Sequence, residues 1–253
     1  MTGIALITGA AHRIGRALAE NLAADGWAVG VHYARSGDAA QTLCADIEKF
    51  GGRALPLQAD LGEAEATTRL IPQLAEVFGP VSLLINNASC FERDTIADFS
   101  VENWDTHLDT NLRAPALLMR DLARQAGAAE TRANIINIID QRVWRLTPDF
   151  SSYTVSKAGL WTLTQTAAQA LAPNGIRVNA IGPGPTLPNP RQDQAEFDKQ
   201  TRLVPLGHGA KPDDIVTAVR YILSAEAMTG QMIALDGGQH LAWETPDVTQ
   251  VKE

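Results

Sequence analysis

Ile4-Ala5-Leu6-Ile7-Thr8-Gly9-Ala10-Ala11-His12-Arg13-Ile14-Gly15 is the stretch from which the rest of the chain can be read. Four apolar residues run into a glycine, and a segment of helical period, Ile14–Asp25, follows. So short an apolar run suits a strand buried on both faces of a parallel sheet. Gly9 at its end permits a tight turn and a close approach of backbone to a ligand. The helix beyond offers free N–H groups and the positive end of its dipole, which together suit a phosphate. The spacing from Gly9 to Gly15 is not the common GxGxxG, so its meaning comes from its place after a first strand.

The same alternation continues outward. Further short apolar runs occur at Val29–Tyr33, Ala54–Gln58, Val81–Ile85, Ile135–Ile139, Ile176–Ile181 and Met232–Leu235. Helical patterns fill the gaps at Ala39–Phe50, Ala64–Phe78, Val101–Gln125, Ser152–Leu171 and Pro212–Ser224. A βαβα order predicts an α/β, Rossmann-type, doubly wound parallel sheet in a single domain, residues 1–253. One stretch breaks the rhythm. Gly182–Pro212 holds Pro183, Pro185, Pro188, Pro190, Pro205 and Pro212, which disfavours regular helix through most of it. A long loop in a compact domain is usually functional, so 183–212 reads as a substrate loop or lid.

Composition narrows the function. The chain of 253 residues has a formal charge of −8, and no basic stripe of the kind nucleic-acid binders carry. Its two cysteines, Cys44 and Cys90, make no disulfide framework, which fits a reducing compartment. The apolar start, Ile4 to Ile7, is too short for a signal peptide or a membrane span, so a cytoplasmic protein without a membrane partner is expected. The five histidines show no metal-ligand spacing, so no metal site is expected.

Five places in the chain point to redox chemistry on a nicotinamide cofactor. Many NAD enzymes end their second strand with an acid that binds the ribose 2′-hydroxyl. Here that strand ends Val31-His32-Tyr33-Ala34-Arg35-Ser36, with no acid. Arg35 and Ser36 suit a phosphomonoester instead, and Arg13 lies close enough in sequence to the phosphate turn to assist. The expected cofactor is therefore NADPH/NADP+. Asp60, ending the third strand, is either an adenine contact or a turn residue. Tyr153 and Lys157 lie four apart in a helical segment and share a face. An ammonium near a phenol lowers the phenol pKa and makes it a usable acid or base. Asp140 follows the run Ile135–Ile139, at the carboxyl end of a strand where ligands bind in such sheets. Burial beside a bound ring would raise its pKa, so turnover should favour mildly acidic pH. Asn111 precedes Pro115 by four, so its carbonyl loses its helical N–H partner and is free to hold a water near Lys157.

Thr8-Gly9-xxx-Arg13-Ile14-Gly15, Asn86-Asn87-Ala88, Asn111, Tyr153-xxx-Lys157, Pro183-Gly184 and Leu235-Asp236-Gly237-Gly238 occur in the order found in short-chain dehydrogenase/reductases, which the chain resembles over nearly its whole length. The resemblance implies a seven-stranded parallel sheet, hydride transfer with Tyr153 as proton donor, Lys157 holding the ribose, and a homotetramer or dimer. Asp140 stands where that family carries serine, Arg13 and Ser89 stand where glycine is usual, and Phe91 follows. These departures resemble the pteridine reductases and related dihydropteridine-type reductases. That likeness implies a pterin-like small-molecule substrate stacked on Phe91, with Ser89, Asp140, Tyr153 and Pro185 beside it. Ala34 stands where that subfamily can carry histidine, and the loop Thr186-Leu187-Pro188-Asn189-Pro190 also departs from its pattern. Together with the residue readings above, the cofactor set becomes Gly9, Arg13, Ile14, Gly15, His32, Tyr33, Arg35, Ser36, Asp60, Leu61, Asn87, Ala88, Ser89, Tyr153, Lys157, Pro183 and Gly184. The catalytic set is Asp140, Tyr153, Lys157 and Asn111. Two other functions stay open here: reduction of another small carbonyl or imine, and a non-catalytic NADP-binding sensor.

Overall fold

The computed structural model describes residues 3–129, 131–189 and 191–244; Pro190, one of the loop prolines, lies outside them. Seven strands, β1 (Ile4–Ile7), β2 (Ala28–Tyr33), β3 (Arg53–Gln58), β4 (Leu83–Asn86), β5 (Ala133–Ile138), β6 (Ile176–Pro183) and β7 (Met232–Leu235), form one sheet in the order β3-β2-β1-β4-β5-β6-β7. Every neighbouring pair is parallel.

Alternation along each strand divides the core in two. Ala5 and Ile7 of β1, Leu83 and Ile85 of β4, and Ile136 and Ile138 of β5 face one side. There they meet α1 (Arg13–Ala24), α2 (Gly37–Lys49) and α8 (Pro212–Ser224) through Leu18, Leu43 and Ile222. Leu6, Leu84 and Ile135 face the other side, against α3 (Ala64–Phe78), α5 (Ala114–Ala129) and α6 (Ser151–Leu171) through Leu74, Leu122 and Leu160. A strand buried on both faces has no polar side to show, which is why these runs are continuously apolar. The chain order reverses between β1 and β4, and the crevice at such a switch point is where ligands bind in doubly wound sheets. Among the described residues no helix is long and apolar enough to cross a membrane.

Two expectations about helices need correction. Val101–Gln125 is not one α-helix. It is α4 (Val101–Leu108), a π-helical turn over Asp109–Arg113, and then α5. The Ala114 N–H reaches back to the Asp109 carbonyl, a five-residue step. The Asn111 side chain is drawn to the backbone of residue 90, and Pro115 can supply no N–H to restore the α register. The 183–212 segment is also less irregular than its prolines suggest. It contains α7 (Gln194–Arg202), started by a reciprocal capping box between Asp193 and Glu196.

Candidate active site

A cleft of about 630 Å³ opens at the carboxyl ends of β1, β4, β5 and β6. Gly9, Arg13, Ile14, Gly15, Asn87, Ala88, Ser89, Phe91, Asp140, Tyr153, Lys157, Pro183, Gly184 and Pro185 all line it, so residues from five separate stretches of sequence meet there.

One end is a backbone cradle. Gly9 adopts φ +63°, which favours glycine, and a Cβ there would come 3.0 Å from the Ala88 backbone. A Cβ at Gly15 would lie 2.2 Å from the Gly9 carbonyl oxygen, so only glycine lets the first turn of α1 close on the β1 turn. The Thr8 hydroxyl accepts from the N–H groups of Asn87 and Ala88 at 2.9 and 3.0 Å, and Asn87 Nδ2 donates to the Thr8 carbonyl at 2.8 Å. The loop after β4 thereby fixes the turn after β1. Arg13 begins α1 with φ +55°, an uncommon conformation for a side-chain-bearing residue. Its guanidinium spans the cleft and donates to the carbonyls of Pro188 (2.6 Å) and Leu187 (3.2 Å) in the 183–212 segment.

His32 is a correction. It is fully buried and does not face the cleft. The Gly9 N–H donates to His32 Nδ1 at 3.0 Å, so Nε2 carries the proton and donates to the Ala59 carbonyl at 3.1 Å. Desolvation pushes its pKa down to about 4. His32 is a neutral strut that ties the β1 turn to β2 and to the end of β3, with no nitrogen left for a ligand.

Leu61 is likewise buried outside the cleft, and its carbonyl accepts from Thr67. Asp60 accepts from the Gly62 N–H at 2.9 Å, the turn-forming role of the two considered for it. Tyr33 is partly buried against Gly37, away from the cleft lining. Arg35 is exposed, and neither it nor the Ser36 hydroxyl has a hydrogen-bond partner among the described residues.

The floor of the cleft holds the ionisable groups. Asp140 caps a short 3₁₀ turn, its Oδ1 accepting from the Arg142 N–H at 2.7 Å. Its Oδ2 accepts from the Tyr153 hydroxyl at 3.0 Å. Lys157 is buried and donates from Nζ to the Ile138 carbonyl at 2.9 Å, with Nζ 5.8 Å from the Tyr153 ring centroid. Burial raises the Asp140 carboxyl, and burial lowers Lys157 to about 8 against the pull of Asp140. Tyr153 departs from expectation. Its pKa is raised well above the usual value, first by burial and then by the Asp140 carboxylate. Lys157 shares the helical face of Tyr153, but the phenol's hydrogen-bond partner is the Asp140 carboxylate.

Asn111 does not line the cleft. Its side chain accepts from the Cys90 N–H (2.8 Å) and donates to the Cys90 carbonyl (2.9 Å) and the Ser156 hydroxyl (3.1 Å). It joins the loop after β4 to α6. Phe91 does line the cleft, but Phe150 already stacks on it, with centroids 4.6 Å apart and planes 7° from parallel. The edge of Tyr153 meets the same ring, and the Arg191 guanidinium lies over it at 5.6 Å. Sequence reading missed Phe150, a phenylalanine at φ +63° in front of α6, and Arg142, which sits 4.9 Å over the Phe150 ring and lines the cleft. Nothing in the local pattern marks either residue.

The family model described as enoyl-(acyl carrier protein) reductase matches residues 9–240. The 3-oxoacyl-[acyl-carrier-protein] reductase FabG of Staphylococcus epidermidis is 32% identical over 251 residues, covering 95% of this chain and 100% of the relative. The crystal structure of FolM alternative dihydrofolate reductase 1 from Brucella suis in complex with NADP superposes with a TM-score of 0.92 at 45% identity, covering 96% of this chain and 97% of the other. A short chain dehydrogenase from Burkholderia cenocepacia in complex with NADP superposes with a TM-score of 0.87 at 32% identity, covering 94% and 97%.

Proposed function

The chain belongs to the short-chain dehydrogenase/reductase family, and from that premise we propose that it is an NADPH-dependent reductase of a pteridine, a dihydropterin or folate-like compound. The observation that carries the reading is the Asp140–Tyr153 hydrogen bond at the cleft floor, beside the buried Lys157. The FolM likeness, at 45% identity, supports the pteridine assignment.

The cleft suits the cofactor. The Gly9–Gly15 cradle leaves space for a diphosphate only while both residues lack a Cβ, and the acid that would oppose a 2′-phosphate is absent from the β2 end. Gly9, Ile14, Gly15, Asn87 and Ala88 would hold the phosphates and nearby ribose, with Arg13 over them once it leaves Leu187 and Pro188. Arg35 and Ser36 would take the 2′-phosphate, and Pro183 and Gly184 would back the nicotinamide. When bound, the cofactor supplies a hydride to the substrate carbon.

The protein's task is then the proton. Tyr153 keeps its proton at neutral pH, since burial and Asp140 both hold its pKa up. It is therefore an acid in the reductive direction, delivering the proton to the nitrogen or oxygen at the other end of the reduced double bond. Asp140, itself raised, returns the proton to the phenol oxygen across the 3.0 Å bond or meets the polar edge of the substrate directly. Lys157 would hold the cofactor ribose and, with a pKa near 8, pass a proton inward from a water on the Asn111 carbonyl. Ser89 and Pro185 border the substrate. Stacking on Phe91 requires Phe150 or Arg191 to give way.

The FabG likeness favours a second reading, reduction of the ketone of a 3-oxoacyl thioester. Asp140 weighs against it, because a ketone oxyanion is best met by a neutral hydroxyl. The test is NADPH oxidation with dihydrobiopterin, dihydrofolate, a 3-oxoacyl thioester and simple ketones. A pterin is expected to turn over fastest, and faster at mildly acidic pH than at neutral pH, because burial raises the Asp140 carboxyl. A thioester or ketone turning over fastest would transfer the assignment to the second reading. The same proposal takes the enzyme to be a cytoplasmic homotetramer. The groove of about 540 Å³ between α4–α5 and α6, lined by Leu108, Leu112 and Leu163, is the expected contact, and sedimentation equilibrium reads the number of protomers.

A further inference from the structure

The first turn of α6 carries Tyr153 but no capping side chain of its own. The residue before the helix is Phe150, in the left-handed conformation and unable to cap. The free donors are met by Asp94, which lies 58 residues from Ser152 in the chain. The Phe150 N–H donates to the Asp94 carbonyl at 2.7 Å, and the Ser152 N–H donates to Asp94 Oδ1 at 3.2 Å. Asp94 Oδ2 accepts from the Ser152 hydroxyl and, at 3.2 Å, from Asn103 Nδ2 of α4. Asp94, Ser152 and the neighbouring His107 are all buried.

The direction of every bond follows from the two ends. The Glu92 N–H can only donate, and it reaches His107 Nε2 at 3.0 Å, so Nε2 is unprotonated. The proton of this neutral ring is then on Nδ1, which donates to Ser152 Oγ at 2.7 Å. The serine hydroxyl has one proton, and it goes to the carboxylate, which only accepts. The chain runs Glu92 N–H to His107 to Ser152 to Asp94 without an unsatisfied member. Burial lowers the His107 pKa, which agrees with a neutral ring. The ionisable groups around it are Asp94 and Glu92 on the loop after β4, and Tyr153 and Lys157 on α6.

Each end of the chain abuts the site. Glu92 follows Phe91, and Ser152 precedes Tyr153, whose ring lies edge-on to both Phe91 and His107. We infer that Asp94 is a positioning residue: its carboxylate caps α6 from outside and fixes the polarity of a buried hydrogen-bond chain that holds the Tyr153 hydroxyl against Asp140 and ties it to the substrate-side ring of Phe91. The inference rests on Tyr153 being the proton donor proposed above.

An amide at this position has one acceptor where the carboxylate has two. In Asp94→Asn, an N–H must therefore face either the Ser152 N–H or the Asn103 amide, and the first turn of α6 loosens. Displacing the phenol by a fraction of an ångström lowers turnover without touching the cofactor cradle. Asp94→Asn is expected to lose kcat by about ten- to a hundredfold on the best compound of the panel. The NADPH Kd, read by fluorescence, should stay within threefold. Ser152→Ala keeps the backbone cap and cuts the hydroxyl link; about a fivefold loss of kcat, again with Kd kept, is expected, and this variant decides the matter if Asp94→Asn does not fold. The ¹⁵N shifts of His107 in the unmodified enzyme, assigned with His107→Gln, should report the proton on Nδ1. A proton on Nε2, or folded variants whose kcat stays within twofold of the parent, would overturn the inference. If Tyr153→Phe itself keeps full turnover, the functional reading fails first. If Tyr153→Phe is inactive and the Asp94 and Ser152 variants are normal, only this inference falls.

Discussion

At the floor of the cleft, Tyr153 and Lys157 are buried, Asp140 is half-buried, and each has a hydrogen-bond partner; at the end of β2, Arg35 is exposed, Ser36 is half-buried, and neither side chain has a partner among the described residues. The floor is preorganised, with pKa values displaced by burial before any ligand arrives. The β2 end is a pair of groups that have no side-chain partner among the described residues and suit an incoming anion. Between them stands His32, buried like the floor but serving the cofactor end. The difference separates two kinds of requirement. A proton donor needs its solvent excluded, whereas a group that selects between two diffusing cofactors must be open to both.

The comparison breaks most visibly if the floor can lose a member without consequence. Tyr153→Phe removes the hydroxyl and leaves the ring packed against Phe91 and His107. Loss of a positioned general acid costs about 10²–10⁴ in rate, so kcat should fall by roughly 10³. NADPH binding, followed by fluorescence titration, should change little, because the cradle is built from other residues. A variant that kept even a tenth of the parent rate would show that the phenol is not the acid.

His32 extends the comparison from rate to stability. Its ring is neutral in the fold and its pKa is lowered from 6.5 to about 4. The unfolded chain takes up a proton near pH 6.5 that the fold refuses until about pH 4. The strut's contribution is therefore complete above pH 6.5 and drains away as pH falls through that window. The difference amounts to about 3 kcal/mol between neutral pH and pH 4. Urea unfolding at pH 7.5 and pH 4.5 reads it, and His32→Gln should flatten much of the slope. His107, also lowered by burial, adds in the same direction. A midpoint independent of pH across that range in the parent would mean the ring is not held neutral.

The parts of the molecule that local pattern could reach were legible in the sequence. Strands buried on both faces show as apolar runs, and the Gly9 turn, Asp140 and the Tyr153–Lys157 pair follow from strand ends and helical spacing. The π-helical turn was not legible. Pro115 announced a disturbed helix, but the displacement of Asn111 toward Cys90 depends on a loop more than twenty residues upstream. Helix α7 was half legible: Asp193 and Glu196 spell a capping box, and the surrounding prolines outweighed it. His32, counted among the cofactor residues, is buried with the rest of β2. The Asp94–Ser152–His107 chain joins three separate elements, and no window along the sequence contains it.

The smallest effect expected is the one that tests the open end. Arg35 and Ser36 are the only groups at the end of β2 to which the preference for NADPH has been ascribed, and Arg35 is free of competing ion pairs among the described residues. Replacing Arg35 by alanine removes a charge-assisted contact to the 2′-phosphate in an exposed, salt-screened setting, so the loss is modest. The KM for NADPH should rise about tenfold at low salt, and less at higher ionic strength, while the KM for NADH stays put. Because NADH lacks the phosphate, the ratio of kcat/KM for the two cofactors isolates the contact from any general damage to the fold. A parent enzyme that already prefers NADH, or a variant in which both cofactors weaken equally, would show that the exposed arginine is ordinary surface. If the variant still prefers NADPH, the selecting charge is Arg13, which must first leave the carbonyls of Leu187 and Pro188.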